Sequence, residues 1–152
     1  METKTLEEAK TMIGQESGVS EWVEMSQERI NQFADVTEDH QFIHINPEMA
    51  KMTPFGGTVA HGFLTLSMLA KMGEKASVVL EGTKMGVNYG FDKIRFLAPV
   101  PSGAKIRGRF IVAAVDEKRP GQTLITYDVS VEIEGGDKPA LIAQWMGMQF
   151  SG

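Results

Sequence analysis

HGFLTLSMLAKM, residues 61–72, carries Phe63, Leu64, Leu66, Met68, Leu69, Ala70 and Met72, apolar around most of a helical circumference. A helix with so little polar surface must be covered on nearly every side. The rest of the chain is therefore expected to wrap it, and Gly73 offers a stop. Directly after this helix the hydrophobic period changes from helical to two. Residues 84–97 predict a strand with a kink near Gly90, and Ala98-Pro99-Val100-Pro101-Ser102-Gly103 a turn. Residues 105–115 predict a second strand, ended by Arg119-Pro120-Gly121. Over 124–134 the side chains of Ile125, Tyr127, Val129, Val131 and Ile133 fall on one face, with Thr126, Asp128, Ser130 and Glu132 on the other. That alternation marks an antiparallel strand with one buried face. Gly135-Gly136 turns the chain into a last strand over 140–150.

Upstream, the elements are helical and short. Residues 5–12 predict a brief helix, closed by Gly14 and the polar stretch 15–20; residues 21–25 predict a short strand. Ser26 is placed to cap a helix reaching Val36, with Ile30, Phe33 and Ala34 on its apolar side. Asn46-Pro47-Glu48 marks another start: a cap, a proline at the first helical position, and an acid near the dipole's positive end. Helices first and a strand meander last define an α+β domain, with an antiparallel sheet packed on one dominant helix. One such domain is expected over 21–152, preceded by a 1–20 extension.

The bulk properties narrow the function classes. At 152 residues, 42% of them hydrophobic, the chain can bury one real core without staples. It contains no cysteine, which removes disulfides, thiolate metal sites and a cysteine nucleophile together. A net charge of −5 and no basic patch interleaved with aromatics argue against nucleic acid. The mixed-charge start METKTLEEAK resembles neither a secretory signal nor a transit peptide. No stretch approaches the roughly 20 apolar residues of a membrane span. A cytoplasmic location is the expectation.

All three histidines fall between positions 40 and 61, in FADVTEDHQFIHINPEMAKMTPFGGTVAHGFLTLS, residues 33–67. Asp39 and His44 lie on the connection between two predicted helices, where a scaffold commonly presents its chemistry. A metal site is not expected: only His40 and His44 stand four apart, and no metal-ligand spacing accompanies them. No G-x-S-x-G elbow is present for a serine nucleophile.

TEDHQFIHINP (37–47), followed by VAHGFL (59–64) and Ser67, resembles the hydratase motif of the MaoC-like dehydratases, the (R)-specific enoyl-CoA hydratases of the hot-dog superfamily. With PFGGTVAHGFLTLS and VNYGFDKIRF, the chain looks closest to the nodulation-protein-N-like branch. The likeness runs from about Val23 to the last strand. It implies a hot-dog fold, in which the antiparallel sheet wraps the long central helix, and a homodimer. It also implies catalysis by Asp39 and His44, with no metal or redox cofactor and coenzyme A entering as part of the acyl-CoA substrate. Gln41-Phe42 stands where better-known members carry asparagine-proline, so Gln41 keeps an amide on a longer arm while the pair itself is intact.

The implied reaction adds water reversibly across the α,β double bond of an acyl thioester. Water needs a general base within about 2.6–3.2 Å, and histidine changes charge near neutral pH. Negative charge building on the thioester oxygen calls for fixed dipoles. Gly62, at the start of the central helix, offers free N–H groups and no side chain to block approach. Gln41 and Ser67 are further substrate-binding candidates from the resemblance, although the Ser67 hydroxyl can equally bond back along its own helix. Asn88, Tyr89 and Gly90 are candidate lining residues on the first long strand. His40 is expected to be solvated and His61 structural. The methionines Met49, Met52, Met68 and Met72 suit an adaptable acyl pocket or plain core filling. Lys93, Arg95, Lys105, Arg107 and Arg109 could meet coenzyme A phosphates or guard sheet edges. Two rivals remain: an acyl-CoA thioesterase, which would want a carboxylate on the central helix, where 61–72 has none, and a non-catalytic acyl-thioester-binding subunit.

Overall fold

The computed structural model describes residues 2–152. Its helices are α1 (Leu6–Thr11), α2 (Gln27–Thr37), α3 (Phe42–Ile45), α4 (Pro47–Ala50), α5 (Gly62–Ser67) and α6 (Leu69–Ala76). The strands are β1 (Glu16–Val19), β2 (Val23–Glu24), β3 (Thr83–Phe96), β4 (Lys105–Arg119), β5 (Gln122–Ile133) and β6 (Leu141–Ser151). All strand pairs are antiparallel, in the order β1-β4-β5-β6-β3, with β2 also on β4. The α+β expectation holds: helices cover one face of a single antiparallel sheet.

The central helix differs from its expected outline. It continues past Gly73 to Ala76 and is divided at Met68 into α5 and α6. Gly73 is buried inside α6, where a Cβ would lie 3.3 Å from the Trp145 ring. Glycine serves here to let the sheet approach the helix, and the Ser77 hydroxyl closes the end by donating to the Gly73 carbonyl. Coverage is also one-sided. Leu64, Leu69, Met72 and Ala76 are buried, whereas Phe63, Ser67 and Ala70 face outward in the single chain, Phe63 at 69% exposure.

The first 20 residues, expected as an extension, are built into the fold. Thr5 and Glu8 form a reciprocal capping box that starts α1, whose Ala9 is wholly buried. The polar stretch after Gly14 becomes β1, because its backbone completes the ladder of β4 whatever its side chains are. The caps at Ser26 and Asn46 form as expected, each side chain accepting a backbone N–H three residues on. The kink near Gly90 is present as register shifts on either side of it. At the core, Phe110 packs edge-on against Tyr127 and Trp145 with centroids 5.6 and 6.0 Å away. No helix among the described residues is long and apolar enough to cross a membrane.

Candidate active site

The site begins where α2 ends. Glu38 takes a left-handed conformation, φ 63°, which stops the helix and turns the chain so that Asp39 leads into α3. Asp39 is exposed, and its Oδ1 accepts from the Gln41 N–H at 3.3 Å. His44, on the single turn of α3, is 7% exposed. Its Nδ1 lies 2.7 Å from the Val59 carbonyl oxygen. A carbonyl only accepts, so Nδ1 carries the proton and Nε2 is left with a free lone pair.

His44 is held from its backbone as well. The Gln27 side-chain amide donates to the His44 carbonyl at 2.7 Å, and its oxygen accepts from the Thr58 hydroxyl at 2.5 Å. The Val59 N–H donates to the Ile43 carbonyl at 3.0 Å. Neither Gln27 nor Thr58 stood out in the sequence, since a glutamine at the start of a helix and a threonine before an apolar pair are ordinary there. Gln41, a substrate-binding candidate from the resemblance, makes no side-chain cap on α3 and is exposed.

His61 is closer to the pair than a remote structural residue. Its Nε2 lies 3.0 Å from the Asp39 carbonyl oxygen, and its ring stacks on His44 at 3.8 Å with planes 22° apart. One oxygen of Asp39 and one nitrogen each of His44 and His61 fall within 4.8 Å of one another. That trio could suggest a divalent ion. Face-to-face rings, however, send their in-plane lone pairs along nearly parallel sheets, whereas a tetrahedral ion needs them to converge. A gap of at most 4.8 Å between Asp39 and His44 instead suits one water bonded to both.

Burial lowers the His61 pKa below its ordinary value of 6.5; neighbouring His44 adds to this, while the Asp39 carbonyl opposes it. The unfolded chain therefore takes up a proton near pH 6.5 that the folded chain refuses. The stability this group allows is complete above that value and lost as pH falls through the lowered folded pKa. The melting temperature is expected to drop between about pH 7.5 and about pH 5.5, and to drop less in His61→Gln. Parallel curves for the two proteins would show that His61 is not the group responsible.

Gly62 is the first residue of α5, with His61 at the cap position and no side chain taking the first N–H groups. It borders a cleft of about 360 Å3 together with His44, Val59, Thr65, Phe96 and Val100. The other candidates are less favourably placed. The Ser67 hydroxyl donates to the Phe63 carbonyl at 2.7 Å, back along its own helix. Asn88, Tyr89 and Gly90 do not line the cleft beside His44. Asn88 accepts from the Trp145 indole N–H at 3.2 Å and borders a second cleft, about 330 Å3, with Ala70 and Gly147; Tyr89 projects outward. His40 is exposed and pairs with Asp35 at 2.9 Å, as a solvated residue would. Arg107 and Arg109 are engaged elsewhere: both bond Glu132, Arg109 also bonds Glu16, and Arg107 lies 4.3 Å over the Trp22 ring. Their part in phosphate binding has no support near the pair.

This architecture recurs in solved structures. A monoamine oxidase regulatory protein from Archaeoglobus superposes with a TM-score of 0.80 at 24% identity, covering 99% of this chain and 96% of that one. The (R)-hydratase from A. caviae involved in PHA biosynthesis gives 0.70 at 21%, covering 89% and 94%. These likenesses establish the hot-dog fold. The family follows from the sequence itself: residues 8–135 match the MaoC like domain, and the chain belongs to that family. Nodulation protein N of Rhizobium leguminosarum bv. viciae is 46% identical over 147 residues, 96% of this chain and 91% of that protein. The 3-hydroxyacyl-thioester dehydratase Z of Mycobacterium tuberculosis (strain ATCC 25618 / H37Rv) is 44% identical over 131 residues, 86% of each.

Proposed function

We propose that this protein is an (R)-specific 2-enoyl-CoA hydratase, working reversibly as a 3-hydroxyacyl-CoA dehydratase, with Asp39 and His44 activating the water. The observation that carries this is the pinned tautomer of His44. Its Nδ1–H is held by the Val59 carbonyl, which leaves Nε2 as the base, and one nitrogen of the same ring lies within 4.8 Å of an Asp39 carboxylate oxygen that can share its water. In hydration, the water oxygen bonds to C3 as one of its protons passes to the pair. The electrons of the double bond move toward the thioester oxygen, beside the Gly62 N–H and the positive end of α5. A proton then returns to C2 on the same face, and the pair is restored. No metal or redox cofactor is needed; coenzyme A is the handle of the acyl-CoA substrate.

The working unit we propose is a homodimer. β3 ends the sheet with one edge unpaired, and Met85, Val87 and Tyr89 on it, with Phe63 on α5, are exposed apolar side chains. A second copy laid against this edge would cover them and bring its own chain toward Asn88, Tyr89 and Gly90. A thioesterase has less support. The extension of α6 adds one carboxylate, Glu74, but it pairs with Lys71 on the exposed side, about 18 Å along the helix from Gly62 at 1.5 Å per residue.

Purified protein is expected to bleach the enoyl absorbance of crotonyl-CoA, and the product should be the (3R)-hydroxyacyl thioester. Unchanged absorbance with short, medium and long enoyl-CoAs would sink the hydratase reading; release of free coenzyme A thiol would support the thioesterase instead.

A further inference from the structure

We propose that His61 is the positioning residue of this site, a single ring that fixes both members of the water-activating pair by stacking on His44 and tethering the backbone of Asp39. The proposal rests on the hydratase reading for its kinetic consequences, but its geometry stands apart from it.

His61 is a poor choice for the position on local grounds. Serine, threonine, aspartate or asparagine would cap α5, and the His61 side chain makes no cap. It is also a poor core filler. The residue is 2% exposed, and its Nδ1 is buried without a hydrogen-bond partner among the described residues. Leucine or phenylalanine would fill the space without stranding a nitrogen. An imidazole offers two things they cannot combine. Its flat face lies 3.8 Å from the His44 ring, which limits rotation of that ring about χ2. Its Nε2–H, 3.0 Å from the Asp39 carbonyl, holds the exposed turn that carries the carboxylate. Among the described residues, the Asp39 side chain has otherwise only the 3.3 Å contact with the Gln41 N–H. Phe33 of α2, with its centroid 5.0 Å away, braces the His61 ring in turn. Burial lowers the His61 pKa and so disfavours its charged form.

The two jobs separate by substitution. His61→Phe keeps a flat face against His44 and loses the tether; His61→Gln keeps an amide donor for Asp39 and loses the stack; His61→Leu loses both. In the purified protein, each is expected to leave KM for crotonyl-CoA nearly unchanged. kcat should fall about tenfold for Phe and Gln and about a hundredfold for Leu, the scale of a misplaced catalytic group. A Leu variant with wild-type kcat, or with a loss that vanishes once the temperature is lowered to match its reduced stability, overturns the proposal.

A second measurement needs no turnover. With only three histidines in the chain, the His44 imidazole signals can be assigned by NMR. Ring-current shielding from the stack should displace them in the wild type and in His61→Phe, and the displacement should shrink in His61→Gln and His61→Leu. An unaltered His44 signal in His61→Leu refutes the stack. If the wild type hydrates no enoyl-CoA, it is the hydratase reading that fails, and the NMR comparison still decides whether His61 orders His44.

Discussion

Asp39→Asn is expected to lower kcat for hydration by about 10²–10⁴-fold, the usual contribution of a positioned acid–base group, with the melting temperature unmoved. Stability should hold because Asp39 is exposed and its one side-chain contact is to a backbone N–H, which the asparagine oxygen also accepts. Activity should fall because an amide cannot take the water's proton or steady the charge that forms on His44. His44→Gln is the companion variant. Its amide can still donate to the Val59 carbonyl, so the buried acceptor is not left alone, a loss that costs about 1–3 kcal/mol. The base at Nε2, however, is gone. The two losses should not add, because both residues act on one water. Equal kcat for Asp39→Asn and wild type in a stopped-flow trace of enoyl absorbance would remove the pair from the mechanism.

Gly62→Pro tests the thioester end of the site. Proline removes the N–H we assign to the developing oxyanion, yet it belongs at the first position of a helix, whose N–H has no intrahelical partner. His61 already has φ −59° and ψ 137°, the extended conformation that a residue before proline prefers. The helix should therefore persist while kcat falls about 10²–10³-fold, the scale for loss of one oxyanion donor. A new Cβ would approach the Phe96 ring at 3.0 Å, so Gly62→Ala is the control that adds the carbon and keeps the N–H. If alanine loses as much activity as proline, the crowding of Phe96 is responsible and the oxyanion assignment falls.

The strands are legible because a half-buried antiparallel strand repeats every two residues, a pattern β5 shows from Tyr127 to Val131, whereas Thr123 to Tyr127, with Thr126 among them, is buried on both faces. The cap at Ser26 was legible because capping is settled within four residues. The outline of the central helix departs from its sequence signal at Gly73, where a residue that usually ends helices is kept for its small size against Trp145. β1 leaves no sequence signal for a related reason: its place is set by the backbone of β4, not by its own side chains. At the site, Gln41 is exposed and does not cap α3, and His44 is held by Gln27, itself bonded to Thr58, and by the Val59 carbonyl.

The sequence by itself determined the chemistry on offer. Spacing and periodicity place Asp39 and His44 five positions apart on one connection, ahead of an apolar helix and a strand meander, and the role of the two as a water-activating pair is what the resemblance of residues 37–47 to the MaoC-like hydratase motif implies. Only the tertiary structure decided how that chemistry is aimed. His61 lies 17 residues beyond His44 in the chain, yet its ring rests against the His44 ring. Which nitrogen of His44 is free follows from a carbonyl 15 residues away. Such contacts depend on burial and close packing across the fold, which no local pattern encodes.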